Sequence, residues 1–353
     1  MLYYILFFVL AMALFSRIAG KKSNKTLFWG AVVVLILYCS IRDGFLYPDI
    51  QNYYDYFKYG YTEFDFQEQF NMGYGLLNKI CKFFYPSFQF LLIVISILII
   101  SLYAKSIKDY SPYIWLSLIL YVLINYYPSF FLLRQYLAMG VFLYSLKYII
   151  NRDPIRYGIC MLIALSFHTT ALIAVPLYFL YGIRNSKLNM LLVLIGAIAV
   201  IAVFFSFSTY IGLFSAYYAH YFEVEMEESA WKRAIMKGFI FLAYMFILRK
   251  HFYDKGINRV VFYCMVLNIV ICVAAMNVMG VFRLREYFAL ADFIGIPVMV
   301  QQTKNLNSFN KMVGLSLIMV YVALLVMSFH SFIMSENMND SYQFFWENRT
   351  LFK

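Results

Sequence analysis

The sequence predicts an all-α protein that crosses a membrane many times, and its composition supports this in three ways. Of its 353 residues, 63% are apolar or aromatic and only 13% are charged. A soluble domain is about half apolar and a quarter charged. Aromatic residues alone make up 21% of the chain. This composition excludes intrinsic disorder, a coiled coil and a disulfide scaffold, and it argues strongly against a water-soluble enzyme.

Apolar runs follow one another along the whole chain, and most are long enough to be candidate spans. A bilayer is crossed by about 20 apolar residues, so a chain of this length allows roughly ten to twelve crossings. We treat the first run as a helix that stays in the protein, because basic residues follow it and no cleavage site is evident. The runs cover residues 2–16, 27–41, 88–104, 113–127, 131–150, 157–182, 188–206, 234–248, 259–278, 286–300 and 312–333.

The loops between these runs are of two kinds, short basic loops and acidic or mixed loops. Cytoplasmic loops of membrane proteins carry an excess of Lys and Arg. Placing the basic loops in the cytoplasm puts about 17 basic and 3 acidic residues there, and about 12 and 15 outside. Both termini then lie outside. Residues 42–87 and 207–233 become outer loops of a single integral membrane domain covering residues 1–353.

The run over residues 157–182 must leave the cytoplasm and return to it, although it is too short for two full crossings. We therefore predict a re-entrant hairpin over residues 157–183, made of two half-length helices that meet near His168. Such a hairpin has to be buried in protein or face a water-filled cavity. The prediction is thus about ten full spans plus one hairpin. The alternative, one crossing over 157–182, places the acidic segment 223–228 in the cytoplasm.

Ionisable residues gather at the predicted outer ends of the helices, where the sorting of positive charge disfavours arginine. At membrane depth such residues are costly and usually functional. An arginine can instead snorkel to lipid headgroups, and a single histidine can simply pack. The planar guanidinium binds phosphate oxygens in pairs, so the group predicts a phosphorylated ligand on the outer side. Its members are Arg42, Asp43, Arg134, His168, Arg283 and Arg285.

The outer loop 42–87 mixes tyrosines with aspartates, a combination that suits sugars. Aromatic rings stack on apolar sugar faces, and carboxylates accept hydrogen bonds from hydroxyl groups. An interfacial aromatic belt is the alternative explanation for the tyrosines. Further along, apolar residues recur on one helical face at Leu76, Leu77, Ile80 and Phe84, which predicts an amphipathic helix on the outer surface. The loop residues are Tyr47, Tyr53, Tyr54, Tyr56, Tyr59, Tyr61, Asp43, Asp49 and Asp55.

No metal, nucleotide or nucleic-acid signal stands out in the sequence. The five cysteines form no CxxC pair, and no His, Cys and carboxylate cluster has metal-site spacing. The net charge of +11 is explained by the basic loops, since no Lys/Arg run suggests nucleic acid. We predict no cofactor and no metal.

Several segments, in this order, resemble the EpsG-type branch of the Wzy polysaccharide polymerases of bacterial capsule, exopolysaccharide and O-antigen synthesis. They spread over nearly the whole chain. At Asn71, two residues before the Gly of the GY motif, the family usually carries Glu. The matching pieces are Arg42-Asp43 with Asp49 and Tyr53, then GYGLLN (73–78), LRQYLA (133–138), FHTTALIAVPLY (167–178), RLREYF (283–288) and SYQFF (341–345).

The resemblance implies a GT-C-like helical bundle and a membrane glycosyltransferase. Its substrate would be an oligosaccharide repeat linked to undecaprenyl diphosphate, on the outer, periplasmic face of the bacterial inner membrane. The growing glycan would be transferred from one lipid diphosphate to the next repeat without a metal. Besides membrane lipid, its partners would be a chain-length regulator and a flippase of the same pathway.

The resemblance also suggests roles for individual residues, and more than one of them could serve as the general base for the acceptor hydroxyl. The candidate catalytic residues are Asp49, His168 and Asp43. We predict that phosphate and sugar are bound by Arg42, Tyr53, Asn71, Arg134, Gln135, Arg283, Arg285 and Tyr287.

Three other functions compete with the polymerase. A flippase or transporter of lipid-linked oligosaccharide should show internal repeats, and none is evident in the sequence. A glycosyltransferase that uses a polyprenyl-phosphate sugar would also favour acidic residues in an outer loop. A membrane O-acyltransferase would use His168 as its base.

Overall fold

The structure, a computed structural model, is helical over almost all of the chain that it describes. The predicted all-α fold is confirmed. The described residues are 2–18, 20–43, 49–60, 72–182, 229–248, 256–274, 279–335 and Phe344.

We number the α-helices in chain order among these residues. They are α1 (Leu2–Ile18), α2 (Gly20–Ser40), α3 (Ile50–Tyr59), α4 (Met72–Phe84), α5 (Phe88–Tyr110), α6 (Ile114–Tyr121), α7 (Leu133–Ile150), α8 (Pro154–Phe167), α9 (Pro176–Gly182), α10 (Ser229–Leu248), α11 (Ile257–Ala274), α12 (Leu290–Phe293), α13 (Gly295–Gln302) and α14 (Ser308–Ser335).

Tighter or wider helical turns join several of these helices. A π-helical segment, Val122–Tyr126, follows α6 and ends just before Pro128, which has no N–H to continue an α-helical ladder. The 3₁₀ segments are Pro128–Phe130, Thr169–Ala174, Met279–Phe288 and Thr303–Asn305.

The chain divides into two compact units. The first comprises Met1–Lys147, Ile155–Leu172 and Leu325–Lys353, and the second comprises Tyr148–Pro154 and Ile173–Leu324. Within the first unit, α2 packs along both α1 and α5. Within the second unit, α11 packs along α10 and against the 3₁₀ segment 279–288.

Two helices in the described part of the chain are long and apolar enough to cross a membrane. They are α5 and the first part of α14, Ser308–Ser331. Along α14, Met312, Met319 and Met327 are exposed, which is typical of a surface that faces lipid. Shorter apolar helices accompany these two. The number of full spans and the side of each terminus stay predictions.

Two predicted elements differ from the structure. The apolar run 286–300 is divided, because Pro297 cannot donate to the Phe293 carbonyl; α12 therefore ends at Phe293. Residues 229–233, predicted to belong to an outer loop, begin α10. Predicted features that lie outside the described residues are the run 188–206, residues 207–228 of the second outer loop with its acidic segment 223–228, and Tyr47, Tyr61 and Asn71.

The helical run over residues 154–182 breaks at His168, the residue at which two half-length helices are predicted to meet. The His168 N–H donates to the Ala164 carbonyl at 3.0 Å and completes the last turn of α8. The His168 carbonyl accepts from the Ala171 N–H at 3.1 Å and begins a 3₁₀ turn. Pro176 then starts α9, a position where a missing N–H costs nothing.

Arg152, in the turn after α7, and Arg259, in the first turn of α11, contact carbonyls of α9 within the second unit. An Arg152 Nη1 donates to the Tyr178 carbonyl at 2.5 Å, and an Arg259 Nη1 donates to the Tyr181 carbonyl at 3.2 Å. The last carbonyls of a helix have no partner within the helix and carry partial negative charge. The two guanidinium groups satisfy these carbonyls and stabilise a helix of only seven residues.

Arg42 is buried, and its guanidinium joins three elements of the first unit. It donates through Nη2 to the Phe130 carbonyl at 2.7 Å, and through Nη1 to the Ser96 hydroxyl at 3.3 Å and to the Cys39 carbonyl. The Arg42 backbone pairs with Phe344 in an isolated antiparallel bridge. These contacts hold the end of α2 against α5 and the turn before α7.

We predict that Arg42→Met lowers the thermal stability of the purified protein in detergent. Each buried acceptor left without its donor costs about 1–3 kcal/mol. Intrinsic fluorescence during heating measures the change. The control is Lys105→Met, which breaks an exposed Lys105–Asp109 pair worth about 0–1 kcal/mol. Equal melting temperatures for the two variants would contradict the assigned role of Arg42.

Candidate functional site

Three tyrosines and an arginine from α3, α4 and α7 form a compact group in the first unit, which we call the Tyr–Arg cluster. Its members are Tyr53, Tyr56, Tyr74 and Arg134. The Tyr74 ring lies 5.6 Å from the Tyr53 ring and 5.8 Å from the Tyr56 ring. The Arg134 Cζ lies 5.4 Å from the Tyr53 centroid and 6.0 Å from the Tyr74 centroid, within the range of a cation–π contact.

The cluster forms because α3 and α4 each bury one stripe of residues. On α3 the buried residues are Ile50, Tyr53 and Phe57, and on α4 they are Tyr74, Asn78 and Cys81. Both stripes have helical spacing. The Phe57 ring lies 5.8 Å from Phe88 at the start of α5, so α3 and the adjoining α4 rest on a long helix.

The opposite face of α4 is apolar and exposed. Leu76, Ile80 and Phe84 from the predicted amphipathic face are exposed there, together with Met72 and Phe83, whereas Leu77 is half-buried. A helix with its large apolar residues turned outward and a tyrosine turned inward suits a membrane surface. Tyr74 is thereby held on the protein side of α4.

Glycines on both sides of Tyr74 allow its helix to approach its neighbours closely. A Cβ on Gly73 would lie 2.2 Å from the Ser166 Oγ, and a Cβ on Gly75 would lie 2.8 Å from the Tyr56 hydroxyl. Neither position has room for a larger residue. The first contact also joins α4 to the C-terminal end of α8, two residues before His168.

The His168 ring is oriented by Thr170. The Thr170 backbone N–H donates to His168 Nδ1 at 3.3 Å, and the Thr170 hydroxyl lies 2.5 Å from the same nitrogen. A backbone N–H can only donate, so Nδ1 accepts, and the neutral ring carries its proton on Nε2. His168 in this tautomer donates a hydrogen bond through Nε2.

The two candidate aspartates differ in exposure and in backbone conformation. Asp43 is fully buried, whereas Asp49 is half-buried. Asp49 stands at the N-cap of α3 with φ 63° and ψ −13°, a left-handed conformation that Asp tolerates better than most residues. Its carbonyl accepts a hydrogen bond from the Tyr53 N–H at 3.3 Å, which joins it to the first turn of α3. Sparsely populated conformations of this kind often mark functional positions.

The remaining predicted site residues are spread over both units. Gln135 follows Arg134 in α7 and is buried, as is Tyr287 in the second unit. Arg285 is half-buried in the 3₁₀ segment 279–288. Its Nε lies 3.1 Å from the Glu286 carboxylate. Arg283 lies in the same segment, but its side chain is outside the described part of the structure, as is Asn71.

A group of three buried polar side chains in the second unit was not predicted. Lys237 donates to the Asp292 carboxylate and, at 2.8 Å, to the Tyr321 hydroxyl. The Tyr321 hydroxyl donates to the other Asp292 oxygen at 2.7 Å. The sequence does carry a signal for this group, because Asp292 lies in the middle of the predicted apolar run 286–300.

The surroundings of Tyr74 in the Tyr–Arg cluster keep this side chain neutral. Burial raises the pKa of Tyr74 well above its ordinary value, and the neighbouring Tyr53 raises it further. Tyr74 therefore acts as an uncharged ring beside the permanent positive charge of Arg134. Among the described residues, no three His, Cys, Asp or Glu side chains are grouped so that they could hold a metal ion.

The apolar helices are typical of a membrane protein, and the Tyr–Arg cluster places a cation beside buried aromatic rings. A comparison with models of protein families finds the EpsG family over residues 44–344. The chain therefore belongs to the EpsG family, an EpsG-type polysaccharide polymerase family, as its motifs predicted. No curated protein and no solved structure matches the chain.

We predict that Gly73→Ala disturbs the cluster, because the new Cβ forces α4 away from Ser166. Polysaccharide chain length should fall sharply in a strain that carries only this variant. Adding Ser166→Gly removes the obstructing side chain and should restore long chains.

The matched control for this prediction is Gly158→Ala on α8. A Cβ on Gly158 meets nothing within 4 Å, so this variant should make polymer of normal length. A Gly73→Ala protein with normal chains, or one that Ser166→Gly does not rescue, would contradict the close contact.

Proposed function

We propose that the protein polymerises oligosaccharide repeats carried on undecaprenyl diphosphate, on the outer face of the bacterial cytoplasmic membrane. Membership of the EpsG family supports the general activity. The observation that carries the finer proposal is the Arg134 guanidinium beside the Tyr53 and Tyr74 rings, which also contact one another. A permanent cation beside aromatic rings suits a ligand that joins a phosphate to a sugar.

Arg134 is proposed to bind the phosphate of the lipid-linked donor. The planar guanidinium group binds phosphate oxygens in pairs through its N–H groups. Contacts with two buried rings also restrict its rotation, so the charge is positioned before the substrate arrives. Fixed charge aimed at a developing anion is often the largest contribution to catalysis.

The proposed reaction is a displacement at the anomeric carbon of the donor glycan. A hydroxyl oxygen of the acceptor repeat forms a bond to that carbon. The bond from the carbon to the phosphate oxygen breaks, and its electron pair leaves with the lipid diphosphate. The hydroxyl proton passes to a base, and a positioned base typically contributes 10²–10⁴-fold to the rate. Arg134 stabilises the charge that develops on the leaving group.

Asp49 is the base that the geometry favours. It is the more exposed of the two aspartates, and it precedes Tyr53 by one turn of α3. Asp43 is fully buried beside the equally buried Arg42. We therefore assign Arg42 and Asp43 to the fold around the end of α2 rather than to substrate.

His168 is proposed to bind phosphate rather than to take the proton. Its Nδ1 accepts from the Thr170 N–H, so a neutral ring offers a donor at Nε2. A donor suits a phosphate oxygen, whereas a base needs a lone pair facing the acceptor hydroxyl. Arg283, Arg285 and Tyr287 are proposed to contribute to phosphate and sugar binding on the strength of their motif.

The direct test is polymerisation by the purified protein on a synthetic undecaprenyl-diphosphate oligosaccharide. The wild type should produce a ladder of products. Arg134→Ala should lose at least about 100-fold in rate, as expected for removal of a charge that acts on the leaving group. Arg134→Lys keeps the charge without the planar fork and should be intermediate. Addition of a single sugar only, or wild-type rates in Arg134→Ala, would contradict the proposal.

Two amide substitutions test the role of His168. The amide nitrogen of Gln occupies approximately the place of Nε2, and that of Asn the place of Nδ1. If His168 donates through Nε2, His168→Gln should keep activity within about tenfold of wild type, since one hydrogen bond is retained. His168→Asn should be far less active. Equal and near-complete loss in both variants would indicate a base, because neither amide takes up a proton.

A further inference from the structure

Three buried side chains from three helices of the second unit form a closed ring of hydrogen bonds. Lys237 on α10 contacts Asp292 on α12 and Tyr321 on α14, and Tyr321 contacts Asp292. Asp292 is 2% exposed and Lys237 is 12% exposed. Each Asp292 oxygen accepts from a different donor, so its carboxylate is fixed in both position and rotation.

A ring of this kind is poorly explained by stability alone. The desolvation of a buried ion pair offsets much of its attraction, and a well-packed apolar replacement is often as stable. Removing one partner is costly, however, because it leaves a buried charge uncompensated. Buried charges in membrane segments are usually retained for function. The question is therefore which functional group this ring holds in place.

The ring is joined to Arg285 through a short, continuous run of helical turns. The Ala289 N–H donates to the Glu286 carbonyl at 3.1 Å, and the Asp292 N–H donates to the Ala289 carbonyl at 2.9 Å. Asp292 therefore ends a hydrogen-bonded run that begins at Glu286, the residue next to Arg285. A fixed Asp292 carboxylate restricts the movement of that run along and about its helical axis.

Both Asp292 oxygens are occupied within the ring, because one accepts from Lys237 and the other from Tyr321. The Arg285 guanidinium contacts a different carboxylate, since its Nε lies 3.1 Å from Glu286. The ring thus holds the segment and also keeps the Asp292 carboxylate occupied.

We propose that Lys237, Asp292 and Tyr321 are positioning residues that hold Arg285 in the orientation required to bind the phosphate of the lipid-linked substrate. This inference rests on the proposed function. The three residues act through Arg285 and do not touch the substrate. Their loss should weaken substrate binding in a protein that carries Arg285, and should have little effect once Arg285 has been replaced.

The test is a double-mutant cycle on the dissociation constant of the synthetic undecaprenyl-diphosphate oligosaccharide. Tyr321→Phe removes one hydroxyl and should weaken binding about tenfold. In an Arg285→Lys background, which has charge but no planar fork, Tyr321→Phe should change binding by less than about twofold. Coupling of this size indicates that the two residues act together.

The matched control is Tyr244→Phe on α10. The Tyr244 hydroxyl is also buried and donates to the Asn258 carbonyl at 2.7 Å, but it takes no part in the ring. Its loss should leave substrate binding unchanged in both backgrounds. If Tyr321→Phe fails to accumulate, Lys237→Arg replaces it, since it keeps the charge and alters the geometry of the ring.

A second comparison sets removal of the Lys237 charge alone against removal of the Lys237 and Asp292 charges together. Lys237→Met leaves the buried Asp292 carboxylate uncompensated and should weaken binding more than the double variant Lys237→Met/Asp292→Asn. Additive effects of Tyr321→Phe and Arg285→Lys, or equal effects of the single and double charge variants, would overturn the inference. Polymerisation by the wild type is measured in the same preparation. If the wild type makes no ladder, the proposed function fails. If it makes a ladder but these effects are absent, only this inference fails.

Discussion

The contact on which the candidate site depends is that of the Arg134 guanidinium with the rings of Tyr53 and Tyr74. Three helices supply these side chains, so the contact fixes α3, α4 and α7 relative to one another as well as the charge. Aromatic rings attract the cation through their faces. The site therefore combines close packing of three helices with a permanent positive charge.

The close packing around this contact explains why small and helix-breaking residues surround it. Gly73 lets α4 meet Ser166 of α8, and α8 ends one residue later, at Phe167. The break leaves His168 beside Thr170, which sets the tautomer of the ring. Asp49, whose backbone is left-handed, likewise stands just before the helical turn that carries Tyr53. Local departures from regular helix thus place each polar group where a straight helix would not.

Sequence patterns predicted the helical fold, and two of the residues assigned to the site, Tyr53 and Arg134, lie in contact in the structure. Apolar runs located most described helices, and the helical run breaks at the predicted His168. The role of Tyr74 was missed, because it depends on which face of an amphipathic helix turns inward. The burial of Arg42 was missed because its acceptors, Ser96 and the Phe130 carbonyl, are distant in sequence. The pairing of Lys237 with Asp292 was missed for the same reason, because the two residues are distant in sequence.

The central claim is that Arg134, held by Tyr53 and Tyr74, binds the phosphate of a lipid-linked glycan. A cryo-electron microscopy structure with undecaprenyl-diphosphate oligosaccharide bound tests it most directly. The account predicts phosphate oxygens about 2.7–3.2 Å from the Arg134 guanidinium nitrogens, with the Tyr53 and Tyr74 rings still beside it. A bound diphosphate beyond hydrogen-bonding distance of Arg134, or a guanidinium turned away from both rings, would contradict it.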